Sequence, residues 1–326
     1  MRAWRFHKTG DIKNLVLEEA ALPEPKEDEV ILGLKCIALN PADRYLIQGQ
    51  YPRAGTPPFI PGRDGAGVVL KGSAKGRFQQ GDNVCILGGL TGVSTPGTLA
   101  EKCVVPEKWL APIPEGWSFE QAAAAPLVHL TAWRALKVCG NLKADETVVI
   151  TGASGGVGTA ALFLAKAAGA TVIALSRDKQ KWKTLEALGA DHIVDSNVPA
   201  LDREIREKAG GAPVSLILDT LGGMFTEKCL RTVAAHGRII VVGLLADLKT
   251  ELTLGLLIHK NVTIQGMSVS AFSAEEAQQA WENVLACYEN SSKRPLISHI
   301  FQFDEVQEAF QHLKEGPLGK VVIRVP

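Results

Sequence analysis

The chain has 326 residues, 46% hydrophobic and 21% charged, and its 35 Lys+Arg residues cancel its 35 Asp+Glu residues. That length exceeds the roughly 250–300 residues at which a single core stops growing, so two domains are expected, and the neutral balance argues against nucleic acid or an acidic membrane as partner. The cysteines Cys36, Cys85, Cys103, Cys139, Cys229 and Cys287 form no close CxxC pair, which fits neither a disulfide framework nor a zinc knuckle; no run approaches the ~18 apolar residues of a membrane span and the start has no apolar leader, so a cytoplasmic protein is expected.

Residues 1–120 are rich in glycine and proline, with β-branched runs at Val30-Ile-Leu-Gly-Leu34 and Gly67-Val-Val-Leu70 between turn signals, which predicts a mainly β region. From about residue 121 the texture changes. An Ala-rich stretch leads to a strand from Thr147, a Gly-rich turn and a helix over 157–168. Alternation continues with strand 171–175, helix 179–188, strand 192–194, helix 201–208 and strands at 215–219, 238–242 and 261–266. Apolar strands separated by helices predict a parallel sheet covered on both faces. Residues 274–288 read as a helix, Asp304 as the cap of another through Leu313, and 320–325 alternate like a strand.

The turn after the first of these parallel strands carries Ala153-Ser-Gly-Gly-Val-Gly158. Backbone N–H groups and a helix N-terminus can face a pyrophosphate there, with Gly155 allowing close approach and Gly158 close helix packing. Ser154, Gly156 and Val157 complete the loop, and Ala153 stands where the fingerprint has its first glycine, so the turn must tolerate a methyl. About 20 residues on, where NAD sites place an acidic residue, stand Ser176 and Arg177, with Lys181 one helical turn later. A guanidinium fork, a hydroxyl and a second cation suit a 2′-phosphate, so NADPH is the expected cofactor. Asp178 could hold a 2′-hydroxyl instead, but better suits a helix cap.

The assembled pattern resembles the medium-chain dehydrogenase/reductase superfamily and, within it, the quinone oxidoreductase branch, over essentially the whole chain. The matching stretches are Leu39-Asn-Pro-Ala-Asp-Arg-Tyr45, Gly49-Gln-Tyr-Pro52, the run from Pro58 through Arg63-Asp64 to Val69, Gly81-Asp-Asn-Val84, Thr131-Ala-Trp133, the phosphate loop, and Gly319-Lys-Val-Val-Ile323. The resemblance implies an α/β fold: a Rossmann doubly wound parallel sheet, over 121–265, plus a mainly β GroES-like catalytic domain, over 1–120 and completed by 290–326, with 266–326 as the return. Zinc members carry a cysteine, a His-Glu pair and a second cysteine where this chain has Asn40, Arg63-Asp64 and Leu127. Arginine and leucine supply no zinc donor, so no metal is expected. His129 lies nearby without a partner in the motif, as a core or supporting residue.

Without a Lewis acid, the accessible substrates are already electrophilic: quinones, enals and enones. The resemblance places Asn40, Asp43, Tyr45 and Tyr51 at the cleft mouth and Thr131 close to the nicotinamide. Asn40 and the two tyrosines are candidate hydrogen-bond donors, Tyr45 with the better claim, while Asp43 orders the loop, with Arg44 or Arg63, rather than acting as a base. Gly243 and Leu244 after the fifth parallel strand, and Met267 after the sixth, end on the cofactor side; Lys320 resembles a family position near the cofactor cleft. A homodimer through the sixth strand is implied. The alternatives are an NADPH-binding structural or regulatory protein with little turnover and, last, a zinc-type alcohol dehydrogenase with substituted ligands.

Overall fold

A computed structural model describes residues 1–51, 55–74, 76–289 and 291–326; Pro52 of the Gly49–Pro52 motif and Asn290, the expected point of return to the first domain, lie outside the described residues. The chain forms two compact units, Met1–Leu127 with Ser270–Leu285 and Arg294–Pro326, and Val128–Val269 with Ala286–Lys293.

The first unit is built on a sheet ordered Ile297–Gln302, Lys320–Arg324, Glu29–Ala38, Asp64–Lys71, Asn83–Ile86, Leu110–Pro112, with Lys102–Pro106 also pairing to Glu29–Ala38. Phe6, Leu32, Leu34, Ile86, Phe303 and Phe310 fill its core. A short helix, Pro41–Ile47, follows the long strand because proline stands at its first position and Asp43, at the third, accepts the Asn40 N–H at 2.8 Å. The strand Lys320–Arg324 does not alternate: its first four residues are all buried, since it lies inside the sheet and the helices Phe119–Ala124 and Val306–Lys314 pack against it. Nor does Asp304 cap the helix before it. Gln302 does, its N–H donating to Glu305 at 2.7 Å, and the helix opens as a 3₁₀ turn over Phe303–Glu305.

The second unit is a six-stranded, wholly parallel sheet ordered His192–Val194, Thr171–Leu175, Thr147–Ile150, Val214–Asp219, Arg238–Val241, Thr263–Gly266. Counted along the chain the order is 3-2-1-4-5-6, which leaves a crevice at the carboxyl ends between the first and fourth strands. All of Thr147–Ile150 is buried, and each such aliphatic side chain contributes roughly 1.5–3 kcal/mol. The helix Gly156–Ala167 buries Gly158, Ala160, Ala161 and Ala165 together with Thr159, Leu162, Phe163 and Leu164. Lys179–Lys181 is a 3₁₀ turn ahead of the helix Trp182–Leu188. The sixth strand begins at Thr263 rather than 261 because Asn261, in the left-handed region, ends the helix Leu254–Lys260. That helix and Met224–Thr232 had no clear sequence signal. Among the described residues no helix is long and apolar enough to cross a membrane.

Candidate functional site

In the second unit the phosphate loop joins the innermost strand to the helix Gly156–Ala167. The left-handed residue of the turn is Gly152 (φ 56°), one position before Ala153, which is how the alanine is tolerated. Gly155 is the helix N-cap and carries no side-chain cap, so the N–H groups of the first turn have no acceptor within the helix. Gly155 and Gly158 differ. A Cβ on Gly158 would lie 2.5 Å from the Gly152 oxygen and 2.6 Å from the Ala153 Cα, so the protein itself demands glycine there. A Cβ on Gly155 would meet nothing closer than the Gly152 oxygen at 3.5 Å. Among the described residues nothing packs against this position closely enough to require glycine. Ser154, Gly156 and Val157 are half-buried around it.

A buried carboxylate that sequence reasoning missed anchors this loop. Asp219, fully buried at the end of its strand, accepts from Thr151 Oγ1 (2.9 Å), Thr226 Oγ1 (2.7 Å), and the N–H groups of Leu221 (3.0 Å) and Gly222 (3.1 Å). Thr220 returns the contact, its N–H to Thr151 Oγ1 and its hydroxyl to the Thr151 carbonyl, both at 2.8 Å. The turns after the first and fourth strands are thereby locked together across the crevice. The signal was the run Asp219-Thr-Leu-Gly-Gly223 closing a strand, opposite Thr151 closing another.

After the second strand, Ser176 is buried and its hydroxyl donates to the Asp178 carbonyl, at 3.4 Å. Arg177 is exposed and makes no hydrogen bond or ion pair among the described residues. Asp178 is spent as a cap, accepting the Gln180 N–H at 3.0 Å, and pairs with Lys181 at 3.2 Å. Gly243 is needed because a Cβ there would lie 2.5 Å from the Thr220 oxygen. Leu244 beside it is exposed, and the Met267 N–H donates to the Val241 carbonyl. Thr131 is buried on the helix Pro126–Trp133.

In the first unit five charged or polar side chains are gathered out of water: Asn40, Asp43, Arg63, Asp64 and Lys320 are each at most 6% exposed. Lys320 Nζ donates to Asn40 Oδ1 at 2.6 Å and to Asp64 Oδ2 at 2.9 Å, and Asn40 Nδ2 donates to the same Asp64 oxygen at 2.9 Å, closing a triangle. The other Asp64 oxygen accepts the Leu127 N–H at 3.3 Å. Arg63 donates to the Tyr51 hydroxyl at 3.2 Å and to Ser270 Oγ at 3.0 Å. Asp43, besides its helix cap, has one buried oxygen with no hydrogen-bond partner among the described residues. Burial pushes its carboxyl up to about 6, against the pull of the Asn40 N–H and the Arg63 charge. The Arg44 guanidinium instead lies over the Tyr45 ring, 5.2 Å from its centre.

A zinc ion does not fit these residues. Of the positions aligned with metal ligands, Asn40, Arg63-Asp64 and Leu127, only Asp64 is a competent donor, and it is paired with Lys320. Burial raises the thiols of Cys36, Cys85 and Cys103 to about 12, which keeps them protonated. His129 is held at 2.7 Å by the Tyr288 hydroxyl. Among the described residues no three His, Cys, Asp or Glu side chains could hold a metal.

Comparison with known proteins agrees with this architecture. Residues 26–115 match the alcohol dehydrogenase GroES-like domain and residues 156–289 the zinc-binding dehydrogenase family. The quinone oxidoreductase-like protein 2 homolog of Nematostella vectensis is 33% identical over 319 residues, covering 95% of this chain and 86% of its own. Human quinone oxidoreductase is 29% identical over 327 residues, 99% of this chain and 97% of its own. The structure of Escherichia coli quinone oxidoreductase complexed with NADPH superposes with a TM-score of 0.91 at 25% identity, over 99% of this chain and 100% of that one. A GroES-like β unit, a 3-2-1-4-5-6 parallel sheet and relatives that match nearly end to end converge: the chain is an oxidoreductase of the medium-chain dehydrogenase/reductase superfamily, and belongs to its quinone oxidoreductase branch.

Proposed function

We propose that the protein is a zinc-independent, NADPH-dependent reductase of quinones or α,β-unsaturated carbonyls. The observation that carries this reading is that two of the positions where zinc members have ligands, Asn40 and Asp64, both bond a lysine ammonium, while the others carry Arg63 and Leu127. A substrate must then bring its own electrophilicity. NADPH, when bound, supplies the hydride. The uncapped helix N-terminus beyond Gly155 receives the pyrophosphate and the unengaged Arg177 the 2′-phosphate. Lys181 is available to the same phosphate only by loosening its pair with Asp178.

Hydride addition to such a substrate leaves charge on an oxygen, which a donor must meet. We assign this to Tyr51 ahead of Tyr45. Arg63 donates into the Tyr51 oxygen, so the phenolic proton points away from the guanidinium, toward another acceptor. Asn40 is committed to Asp64 and Lys320 and serves to hold the chain, as Asp43 does through its cap.

The test is a panel of quinones, enals, enones and acryloyl esters assayed with NADPH and NADH in parallel, with metal analysis of the purified protein. Loss of nicotinamide absorbance with one of these electrophiles, faster with NADPH, is expected. Stoichiometric zinc, or tight cofactor binding with no turnover on any of them, would overturn the reading.

A further inference from the structure

We infer that the ammonium of Lys320 is a tethered cation occupying a built cation site, whose oxygens come from Asn40 and Asp64, and that the site selects a primary ammonium. The closed triangle of Lys320, Asn40 and Asp64 fixes each partner through two others, and each is at most 4% exposed. Asn40 has no choice of orientation: its oxygen faces the ammonium and its nitrogen faces the carboxylate. A buried ion pair is weak evidence for stability, because an apolar replacement often does as well. What this one holds is more specific. Asn40 opens the helix that carries Asp43 and Tyr45, Asp64 also binds the Leu127 N–H, and Lys320 begins the strand that runs beside Glu29–Ala38. One positive charge thus ties together chain segments as far as 280 positions apart. An ammonium presents three protons, and two of them are used here. Lys320 is a positioning residue: it acts on the site through Asn40 and Asp64.

The same geometry explains why the positions that align with metal ligands remain polar at Asn40 and Asp64. They still surround a cation, but one supplied by the chain. Removing the side chain beyond Cβ deletes three carbons and the ammonium, the atoms of n-propylammonium, and leaves two buried oxygens facing the space.

The experiment is chemical rescue of Lys320→Ala by propylammonium, with 1-propanol and tetramethylammonium as the neutral and the proton-less controls. The variant is expected to lose thermal stability and reductase activity. Propylammonium should raise its unfolding midpoint with the logarithm of concentration, as a ligand of the native state does, and restore activity several-fold; the two controls should do neither. Pairing Lys320→Ala with Asp64→Asn should abolish the rescue. If Lys320→Ala is insoluble, refolding yield with propylammonium against 1-propanol gives the same comparison. Rescue by 1-propanol equal to that by propylammonium, rescue by none of the three, or a Lys320→Met variant as stable and active as the parent would overturn the inference. The thermal readout needs no substrate, so failure of the reductase reading would leave it standing.

Discussion

Replacing Gly155 by alanine separates what a bound phosphate demands from what the fold demands. In the folded chain Gly155 has φ −76°, open to any residue, and the new Cβ would sit 3.5 Å from its nearest neighbour. Alanine is a poorer N-cap than glycine, by up to about 1 kcal/mol, but it restricts the unfolded chain by a compensating 0.4–1 kcal/mol or so, so stability should stay within about 1 kcal/mol of the parent. Binding is another matter. A methyl group at the phosphate's point of closest approach displaces one or two charge-assisted N–H···O contacts, each worth about 1.5–3 kcal/mol, so NADPH affinity should fall roughly ten- to a hundred-fold or more. Gly158→Ala reverses the pattern: its Cβ would press on backbone atoms at 2.5 and 2.6 Å, and forcing it in should cost about 1–3 kcal/mol of stability. Denaturant titration and NADPH titration of the two variants give both quantities. A folded Gly155→Ala protein that binds NADPH as tightly as its parent would refute the placement of the phosphate at this loop.

Arg177→Asp should leave the unfolding midpoint unchanged, since the exposed side chain is unengaged, and should shift the ratio of NADPH to NADH turnover toward NADH; equal NADPH preference in the variant would remove Arg177 from the cofactor site. For Asp43, burial raises the folded carboxyl to about 6, above the unfolded value of about 3.9, so its contribution worsens as pH climbs through that interval. Relative to Asp43→Asn the parent should therefore lose up to about 3 kcal/mol between pH 4 and 7, measurable by urea unfolding of both; a gap independent of pH would contradict the assignment. We also propose a homodimer across the exposed edge strand Thr263–Gly266 and its neighbouring helix, on which Leu254 is 65% and Ile258 78% exposed. Sedimentation should show Ile258→Asp shifted toward monomer, and a monomeric parent would exclude it.

The parallel sheet was largely legible because its signals are local. Leu201 and Ile205 stand one turn apart and are the two buried residues of their helix, and the apolar run at Thr147 is followed at once by its glycines. Helices without that kind of signal went unseen. Leu254–Lys260 turns only Leu256 and Leu257, partly buried, toward the core and leaves Leu254 and Ile258 exposed, so its apolar residues mark no single inner face; Met224–Thr232 starts from two left-handed glycines with no capping side chain. The polar cluster was half visible. Asn40, Asp43, Tyr51 and Lys320 were named singly, but that Lys320 bonds Asn40 and Asp64 depends on strand pairing between Val322 and Ala38, which no local pattern encodes. The Asp219 network was hidden for the same reason, its threonines being unremarkable until two strand ends meet.

The strand Lys320–Arg324 has a further consequence, for the order in which the chain becomes native. It pairs on one side with Glu29–Ala38 and on the other with Ile297–Gln302, so the first unit cannot close its sheet until residues 297–324 have been made. Every strand of the parallel sheet has been made by residue 266. The nucleotide-binding unit can therefore assemble while the early β strands wait, their edges open and prone to wrong partners, and the arrival of Lys320 delivers in one event both the missing strand and the charge that Asn40 and Asp64 have been lacking.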